Sequence, residues 1–479
     1  MNQPNKNSAI TARDVDFAQW YTDVCKKAEL MDYSSVKGFI DYLPYGYAIW
    51  EEIMAYSNQL YKEEGVSNVY LPSVIPSSLF NKEKEHIEGF APECLVATIG
   101  GGQKLADPLI IRPTSEILFS DMYKRLVSSY RDLPKMYNQW CSVVRWEKTT
   151  RPFLRGAEFL WQEGHCLFET HEEALKDVKT FLDIYDKVGR DLLAIPYLKG
   201  KKTEHEKFAG ALSTFSIEAL MHDGKALQCG TSHDLGQGFA KAFGIEFQGR
   251  KNGLETPWQT SWGSSTRQIG AVIMVHGDDN GLVLPPFVAP IQVVIVPIRQ
   301  QEPGILDACY AIKDALKAEG IRVKVDDDDT KTPGWKFAEY EMKGVPLRLE
   351  VGPRDLAQGQ CVLTRRVDGV KSIAKILEIE KAIPGMLQEI HNTMYQKALD
   401  SLNSRIVSVN NIDELNQALD KGGYAKMAFC GKAECEIKIK ELTNGGTARC
   451  IAEEAVKDGA KCPVCGEPAT IVAYFAKAY

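Results

Sequence analysis

No apolar run in the 479 residues approaches the ~18 that a membrane helix needs, which argues against a span. The opening MNQPNKNSAI is polar and lacks the apolar centre of a secretion signal, so a cytoplasmic protein with no membrane partner is expected. The chain also lacks a basic excess: its formal net charge is −7, so a nucleic-acid partner would have to be held by local patches. Of twelve cysteines, eight are scattered singly, a usage that fits a reducing compartment better than a disulfide framework. There is no internal repeat and no long low-complexity tract; Asp326 to Asp329 is only a short acidic run. What remains is a globular composition, 44% hydrophobic, long enough for about three domains.

Residues 1 to about 285 hold long amphipathic segments, among them 49–64 and 117–130, each followed by strand-like runs. The proline-rich tract LVLPPFVAP, residues 282–290, marks a boundary before the buried-strand pattern IQVVIVPI. From there to about 398, strand, helix (306–319), strand (322–325), helix (335–343) and strand (346–351) alternate, which predicts a small α/β domain. A helical linker over 381–403 then leads to a tail of roughly 80 residues that carries the remaining four cysteines.

Four segments concentrate chemistry. In R-W-E-K-T-T-R-P-F-L-R-G-A-E-F-L-W-Q-E-G-H, residues 145–165, a hairpin sets Arg145 and Glu147 on one face and Trp161, Glu163 and His165 on one face of the return. Positions 145–155 carry four cations, Arg145, Lys148, Arg151 and Arg155, against the single carboxylate of Glu147, a surplus that suits a polyanion; the alternative is a salt-bridged exposed hairpin. Thr114-Ser115-Glu116 opens a helix with Leu118, Met122 and Leu126 on its apolar side, either as a plain cap or as a pocket for a ligand ammonium. Gln228 to His233 is a run of small polar residues in which Thr231 and His233 face the same way, either as pocket lining or as ordinary hydrogen-bonding groups of a loop. Ser261 to Arg267 leads into an apolar helix, 269–276, whose start gathers hydroxyls, backbone N–H groups and Arg267, as an anion site or an ordinary cap would.

In order and spacing, R-W-E with F-L-R-G-A-E-F-L-W-Q-E-G-H, P-T-S-E, Q-x-x-T-S-H and S-W-G-x-x-T-R-x-I-G resemble the active-site segments of the prolyl-tRNA synthetases, a class II aminoacyl-tRNA synthetase family. Leu71-Pro72 through Pro76 resembles motif 1, which builds that family's homodimer interface. The resemblance implies an α+β fold: a class II antiparallel-sheet catalytic domain over 1–285, an α/β anticodon-binding domain over 286–398 and a small α+β zinc domain over 399–479. It implies ATP-dependent charging of proline tRNA through a prolyl-adenylate, with Mg2+ on the ATP. Arg145 and Arg267 are then the catalytic pair, Arg145 bridging the proline carboxylate and the α-phosphate. Glu147 accepts from adenine, Arg155 holds the γ-phosphate, and Gln228, Thr231, Ser265 and Arg267 complete the ATP site. Thr114 and Glu116 meet proline's ammonium, while His233, Trp161 and Phe90 close around its ring.

A pocket shaped for proline excludes larger residues but discriminates against alanine or cysteine by only about 1–3 kcal/mol per missing methylene. The large editing domain that some members of the family insert here is absent, since 64 residues separate Glu163 from Gln228, so correction of alanyl-tRNA is expected in a separate protein. Between Lys331 and Lys375, nine Lys or Arg face five Asp or Glu, and Trp335, Lys336 and Arg354 are candidate tRNA contacts or simply a solvated face. Cys430-x4-Cys435 and Cys462-x2-Cys465, 26 residues apart, predict a closed structural Zn2+ site, with Cys450 as a rival ligand and free thiols as the alternative. A final aromatic segment ending in Tyr479 is expected, by the resemblance, to pack back on the catalytic domain. A threonyl or seryl enzyme, a noncatalytic tRNA-binding paralogue and a zinc hydrolase are the rival readings.

Overall fold

A computed structural model describes residues 10–82 and 94–479. Its first unit is built on seven strands: Ser67–Asn68 (β1), Lys135–Val144 (β2), Glu158–Phe168 (β3), Leu198–Lys201 (β4), Ser213–Leu220 (β5), Ala226–Gly236 (β6) and Trp258–Ser265 (β7). They lie in the order β1-β2-β3-β7-β6-β5-β4, and every neighbouring pair is antiparallel except β1 with β2. Strand alternation splits the sheet into two chemically different faces. Trp262 points to the helical side and stacks on Phe181 with ring centroids 3.7 Å apart. Gly164 is required beside it, because a Cβ there would lie 2.2 Å from the indole. Helices Pro44–Glu63 (α1) and His171–Val188 (α3) cover this face, and a capping box between Thr170 and Glu173 starts α3. The 64 residues between Glu163 and Gln228 supply α3, β4 and β5 to this same unit.

The helix after P-T-S-E, Glu116–Leu126 (α2), is rotated from the sequence expectation. Its fully buried face is Glu116, Ile117, Phe119, Ser120 and Tyr123; of the expected apolar side, Leu118 and Met122 pack half-buried on the same core, whereas Leu126 is 47% exposed. Two polar contacts fix the rotation: Thr114 Oγ1 donates to Glu116 Oε2 at 2.5 Å, and the Tyr123 hydroxyl donates to the His165 carbonyl at 2.6 Å. Helix Arg267–His276 (α4) gathers a hydroxyl at its start as expected, Ser265 Oγ accepting from Arg267 N at 3.3 Å, while its N-cap Thr266 makes no side-chain capping bond and meets the Tyr42 hydroxyl at 3.2 Å.

The second unit has strands Val293–Pro297 (β8), Val323–Val325 (β9), Leu347–Val351 (β10), Gln360–Arg365 (β11) and Lys371–Lys375 (β12), in the order β9-β8-β10-β11-β12. The first three are parallel, connected through helices Ile305–Ala318 (α5) and Pro333–Met342 (α6); the antiparallel hairpin β11–β12 extends the expected pattern. The expected linker is one helix, Ile379–Ser404 (α7), and it joins three cores. Ile383 and Leu387 belong to the second unit, Ile390 and Met394 pack with Ala194 and Val283, and Leu402 packs with Ala226 and Tyr424.

The tail forms strands Ile406–Ser408 (β13), Tyr424–Phe429 (β14), Thr447–Ile451 (β15) and Ile471–Ala476 (β16), ordered β13-β14-β16-β15, with helices Ile412–Lys421 (α8) and Ala433–Leu442 (α9). Its end returns to the first unit as expected: Ala226 N donates to Lys477 O at 2.8 Å, and Tyr479 N donates to Ala226 O at 3.1 Å. Among the described residues no helix is long and apolar enough to cross a membrane.

Candidate active site

The face of the sheet opposite α1 and α3 carries a cavity of about 290 Å3. From β3, Trp161, Glu163 and His165 alternate onto it, and Ser261, Gly263 and Ser265 do so from β7. On β6 simple alternation would place Gln228 opposite Thr231 and His233. A β-bulge resolves this: the β5 pairing slips from Ile217↔Gly230 to Glu218↔Gln228, Cys229 is the extra residue, and all three side chains reach the cavity. The segment expected as a loop is therefore the middle of a buried strand, which pairing with both β5 and β7 enforces. Thr114, Glu116, Arg145, Glu147, Arg155, Trp161, Gln228, Thr231, His233, Ser265 and Arg267 all line the one cavity; Phe90 lies outside the described residues.

One end is cationic. Arg145 donates from Nε to the Pro113 carbonyl at 3.0 Å, and its guanidinium lies 5.3 Å and 5.5 Å from the Phe159 and Trp161 ring centroids. Arg267 donates from Nε to Leu154 O at 2.8 Å and from Nη1 to Gln228 O at 3.4 Å, and its backbone N–H donates to Ser265 Oγ at 3.3 Å. Burial, followed by the nearby charges of Arg145 and Arg155, moves the Arg267 pKa down. Three guanidiniums held this close are set to receive a polyanion. Glu147 and Arg155 pair with each other at 3.2 Å on the loop joining β2 to β3. Arg151 turns away from the cavity, with its guanidinium 5.5 Å from the Tyr479 ring centroid.

The other end is anionic, and it contains residues to which the sequence reading gave no role. Glu163 is buried; its Oε1 accepts from Gln139 Nε2 at 2.8 Å, and its Oε2 accepts from Ser115 N and meets His165 Nε2, both at 3.1 Å. Burial raises its pKa, but His165, Ser115 and Gln139 more than offset that and hold the carboxyl below its usual range. His233 is neutral, pulled down to about 3 by burial and then by His165, with Nδ1 at 2.9 Å from Thr214 Oγ1. Phe208 lies beside it with ring centroids 4.8 Å apart. Glu116, Glu163 and His165 have ligand atoms within 4.8 Å of one another, and the oxygens of Glu163 are already engaged by protein donors. Such a set suits an ammonium, which brings its own N–H donors, better than a bare metal ion.

In the tail, the sulfurs of Cys430, Cys435, Cys462 and Cys465 lie within 4.8 Å of one another, with Cys465 and Cys430 at 3.8 Å. A tetrahedral ion with Zn–S bonds of about 2.3 Å separates its sulfurs by about 3.8 Å, so the donor set fits zinc. Cys450 is elsewhere, with Sγ 3.5 Å from Ser216 Oγ of β5. On the second unit Trp335 is 48% exposed and Arg354 is exposed. Lys336 does not share that surface: it is 2% exposed and donates to the Asp326 carbonyl at 2.7 Å. A buried ammonium needs such acceptors, so the α6 face carrying Lys336 packs inward.

Comparison with known proteins matches each unit. A model of the tRNA synthetase class II core domain (G, H, P, S and T) matches residues 98–276, an anticodon binding domain matches 292–386, and the prolyl-tRNA synthetase C-terminal domain matches 412–479. The chain is 54% identical over 471 residues to a proline-tRNA ligase of Acetoanaerobium sticklandii, covering 98% of both chains. It is 54% identical over 474 residues to that of Lachnospira eligens, again covering 98% of each. Among solved structures, prolyl-tRNA synthetase from Cryptosporidium parvum complexed with L-proline and AMP superposes with a TM-score of 0.94 at 38% identity, covering 100% of this chain and 99% of that one. The same protein complexed with halofuginone and AMPPNP gives 0.95 at 39%, covering 98% and 99%.

Proposed function

The chain belongs to the proline-tRNA ligases, class II aminoacyl-tRNA synthetases that use ATP to join L-proline to proline tRNA through a prolyl-adenylate, and from that premise we propose how its residues divide the work. The reading rests on the polarity of the cavity, carboxylates at one end and three guanidiniums at the other. Proline lies along that axis, its secondary ammonium toward Thr114, Glu116 and Glu163, its ring between Trp161 and His233, and its carboxylate toward Arg145. The carboxylate is ionised at neutral pH, so attack on the α-phosphorus needs no general base. As the new C–O–P link forms and pyrophosphate departs, Arg145 and Arg267 hold the equatorial oxygens. Gln228, Thr231 and Ser265 seat the nucleotide, Glu147 accepts from the adenine amino group, and Arg155 leaves its pair with Glu147 to meet the γ-phosphate. Mg2+ accompanies ATP and would neutralise phosphate charge.

The terminal ribose hydroxyl of the tRNA then attacks the prolyl carbonyl and releases AMP. Trp335 and Arg354, both exposed, are the proposed contacts of the anticodon-binding unit. We assign residues 1–285, 286–398 and 399–479 to the catalytic, anticodon-binding and zinc domains. Cys430, Cys435, Cys462 and Cys465 would hold Zn2+ as a closed structural site with no open position for catalysis. A homodimer through the segment Leu71 to Pro76 is supported by its placement: Leu71 and Pro72 carbonyls accept from buried Arg112, and neighbouring Tyr70 is 70% exposed. The proposed location is cytoplasmic, where translation uses the product. Arg145→Ala tests the assignment: proline-dependent exchange of pyrophosphate into ATP should fall by about 1,000-fold or more while tRNA affinity is retained. Normal exchange by this variant would remove Arg145 from the reaction.

A further inference from the structure

Two buried contacts run from the C-terminal unit to opposite ends of the cavity, and neither uses the four clustered cysteines. The first centres on Glu218 of β5, which is fully buried and pairs across the sheet with Gln228 at the β-bulge. Cross-strand partners project from the same face, so this carboxylate sits beside Gln228 on the cavity side. Its Oε1 accepts from Lys202 Nζ at 2.7 Å and Ser216 Oγ at 3.0 Å. Its Oε2 accepts from Arg449 of β15, Nε at 3.1 Å and Nη2 at 2.8 Å. Burial works against the charge of Glu218, and Lys202 and Arg449 more than offset it, holding the carboxyl below its usual range. The bulge itself is tied forward into the cavity, since the Gln228 carbonyl accepts from Arg267 and the Cys229 carbonyl accepts from Ser264 Oγ at 3.0 Å.

The second contact leads to the amino-acid end. Thr203 Oγ1 donates to Glu436 Oε1 of α9 at 3.1 Å and accepts from Glu206 N at 3.3 Å, which fixes the turn running to Phe208. Phe208 N donates to Thr214 Oγ1 at 2.9 Å, and that hydroxyl is the partner of His233.

We infer that Arg449 is a positioning residue for the nucleotide end of the site: by gripping Glu218 it fixes the bulge that presents Gln228 and supplies the carbonyl that orients Arg267. The inference rests on the assignment of that end to ATP. Removing Arg449 leaves a buried carboxylate with half its counter-charge, and breaking one partner of a buried ion pair is costly because the other charge stays in low dielectric. Relief comes from movement of the bulge, where the extra residue Cys229 interrupts regular pairing with β5. Glu436 meets Thr203, the chain neighbour of Lys202, but its onward hydrogen bonds run through Phe208 to Thr214 and His233 instead of to the bulge, so the two contacts should differ in kinetics.

The test is pyrophosphate exchange by the full-length enzyme with ATP and proline titrated separately, for wild type, Arg449→Met and Glu436→Met. For Arg449→Met the KM for ATP should rise about tenfold and that for proline should stay within about twofold, with bound metal retained; Glu436→Met should show the reverse bias. Arg449→Lys should recover part of the ATP affinity, because a lysine keeps the charge and loses the two-pronged grip. A lowered unfolding temperature with both KM values unchanged makes Arg449 plain glue and overturns the inference, as does an equal rise in both. If Arg449→Met does not fold, Glu218→Gln gives the same readout, and an unchanged KM for ATP there overturns it equally. Failure of the underlying assignment looks different, since the wild-type enzyme would then show no ATP-dependent exchange.

Discussion

Glu163 concentrates the chemistry of the anionic end, and Glu163→Gln removes its charge while keeping its shape. The carboxylate serves donors on both oxygens: Ser115 N–H at 3.1 Å on one and Gln139 Nε2 at 2.8 Å on the other. An amide offers one accepting oxygen, so its NH2 must face one of these donors, and a buried donor without an acceptor costs about 1–3 kcal/mol of stability. The effect on substrate is separate. A proline ammonium about 5 Å from the carboxylate, at an effective dielectric of about 20, loses about 3 kcal/mol when the charge goes. The KM for proline should therefore rise roughly 100-fold, with the KM for ATP within about twofold of wild type. The assay is pyrophosphate exchange with proline titrated at saturating ATP, beside a thermal melt of the same preparation. A proline KM within about threefold of wild type, or an ATP KM that rises as far as the proline KM, would refute the polarity argument.

Burial of a neutral histidine should cost the fold stability as the pH falls below 6.5. His233 stays neutral down to about pH 3 in the fold, whereas the unfolded chain returns it to about 6.5. Below pH 6.5 the unfolded state binds a proton that the native state refuses, so this residue alone should remove about 1 kcal/mol between pH 6.5 and 5.5. Urea unfolding of wild type and His233→Gln at those two pH values reads it as the difference between the two proteins, because His276, Asp177 and Glu436 also titrate away from their usual ranges; an equal pH dependence in both would mean that His233 charges freely in the fold. Cys462→Ser should abolish zinc binding measured by elemental analysis and raise amide exchange around the cysteine turns, since structural zinc is worth roughly 10 kcal/mol to such a site. Exchange of pyrophosphate should fall with it, because Arg449 and Tyr479 belong to the same unit; retained zinc would point to other ligands.

The sequence made the return strand legible, because alternation alone puts Trp161, Glu163 and His165 on one face, and so they stand in the cavity. It could not assign Glu163 a task, since its partners Ser115 and Gln139 are distant in the chain and only the fold converges them. Gln228 was reached by family resemblance; its facing depends on a pairing slip at Cys229 that leaves no mark in residue periodicity. The face of α2 was misjudged because Ile117, Phe119 and Tyr123 compete with Leu118, Met122 and Leu126 for the apolar stripe, and polar anchoring of Glu116 and Tyr123 decides between them. Strand β12 escaped notice for a related reason: its alternate residues are solvated, with even Ile373 66% exposed. Lys336 looked like a surface cation next to Trp335, and only the acceptor offered by Asp326 shows why it is buried. The cysteine pairs were the reverse case, since short chelating turns bring sulfurs together locally and leave the fold only the two pairs to join.

On the proposed roles, this cavity activates proline by joining its carboxylate to the α-phosphate of ATP. The most direct measurement is amino-acid-dependent exchange of pyrophosphate into ATP, run with each standard amino acid in the absence of tRNA. Exchange should be strongest with proline, with weak signals from alanine or cysteine, which a pocket of this kind excludes only by the loss of contact. Silence with every amino acid, from folded protein, or exchange led by an amino acid other than proline, would contradict it.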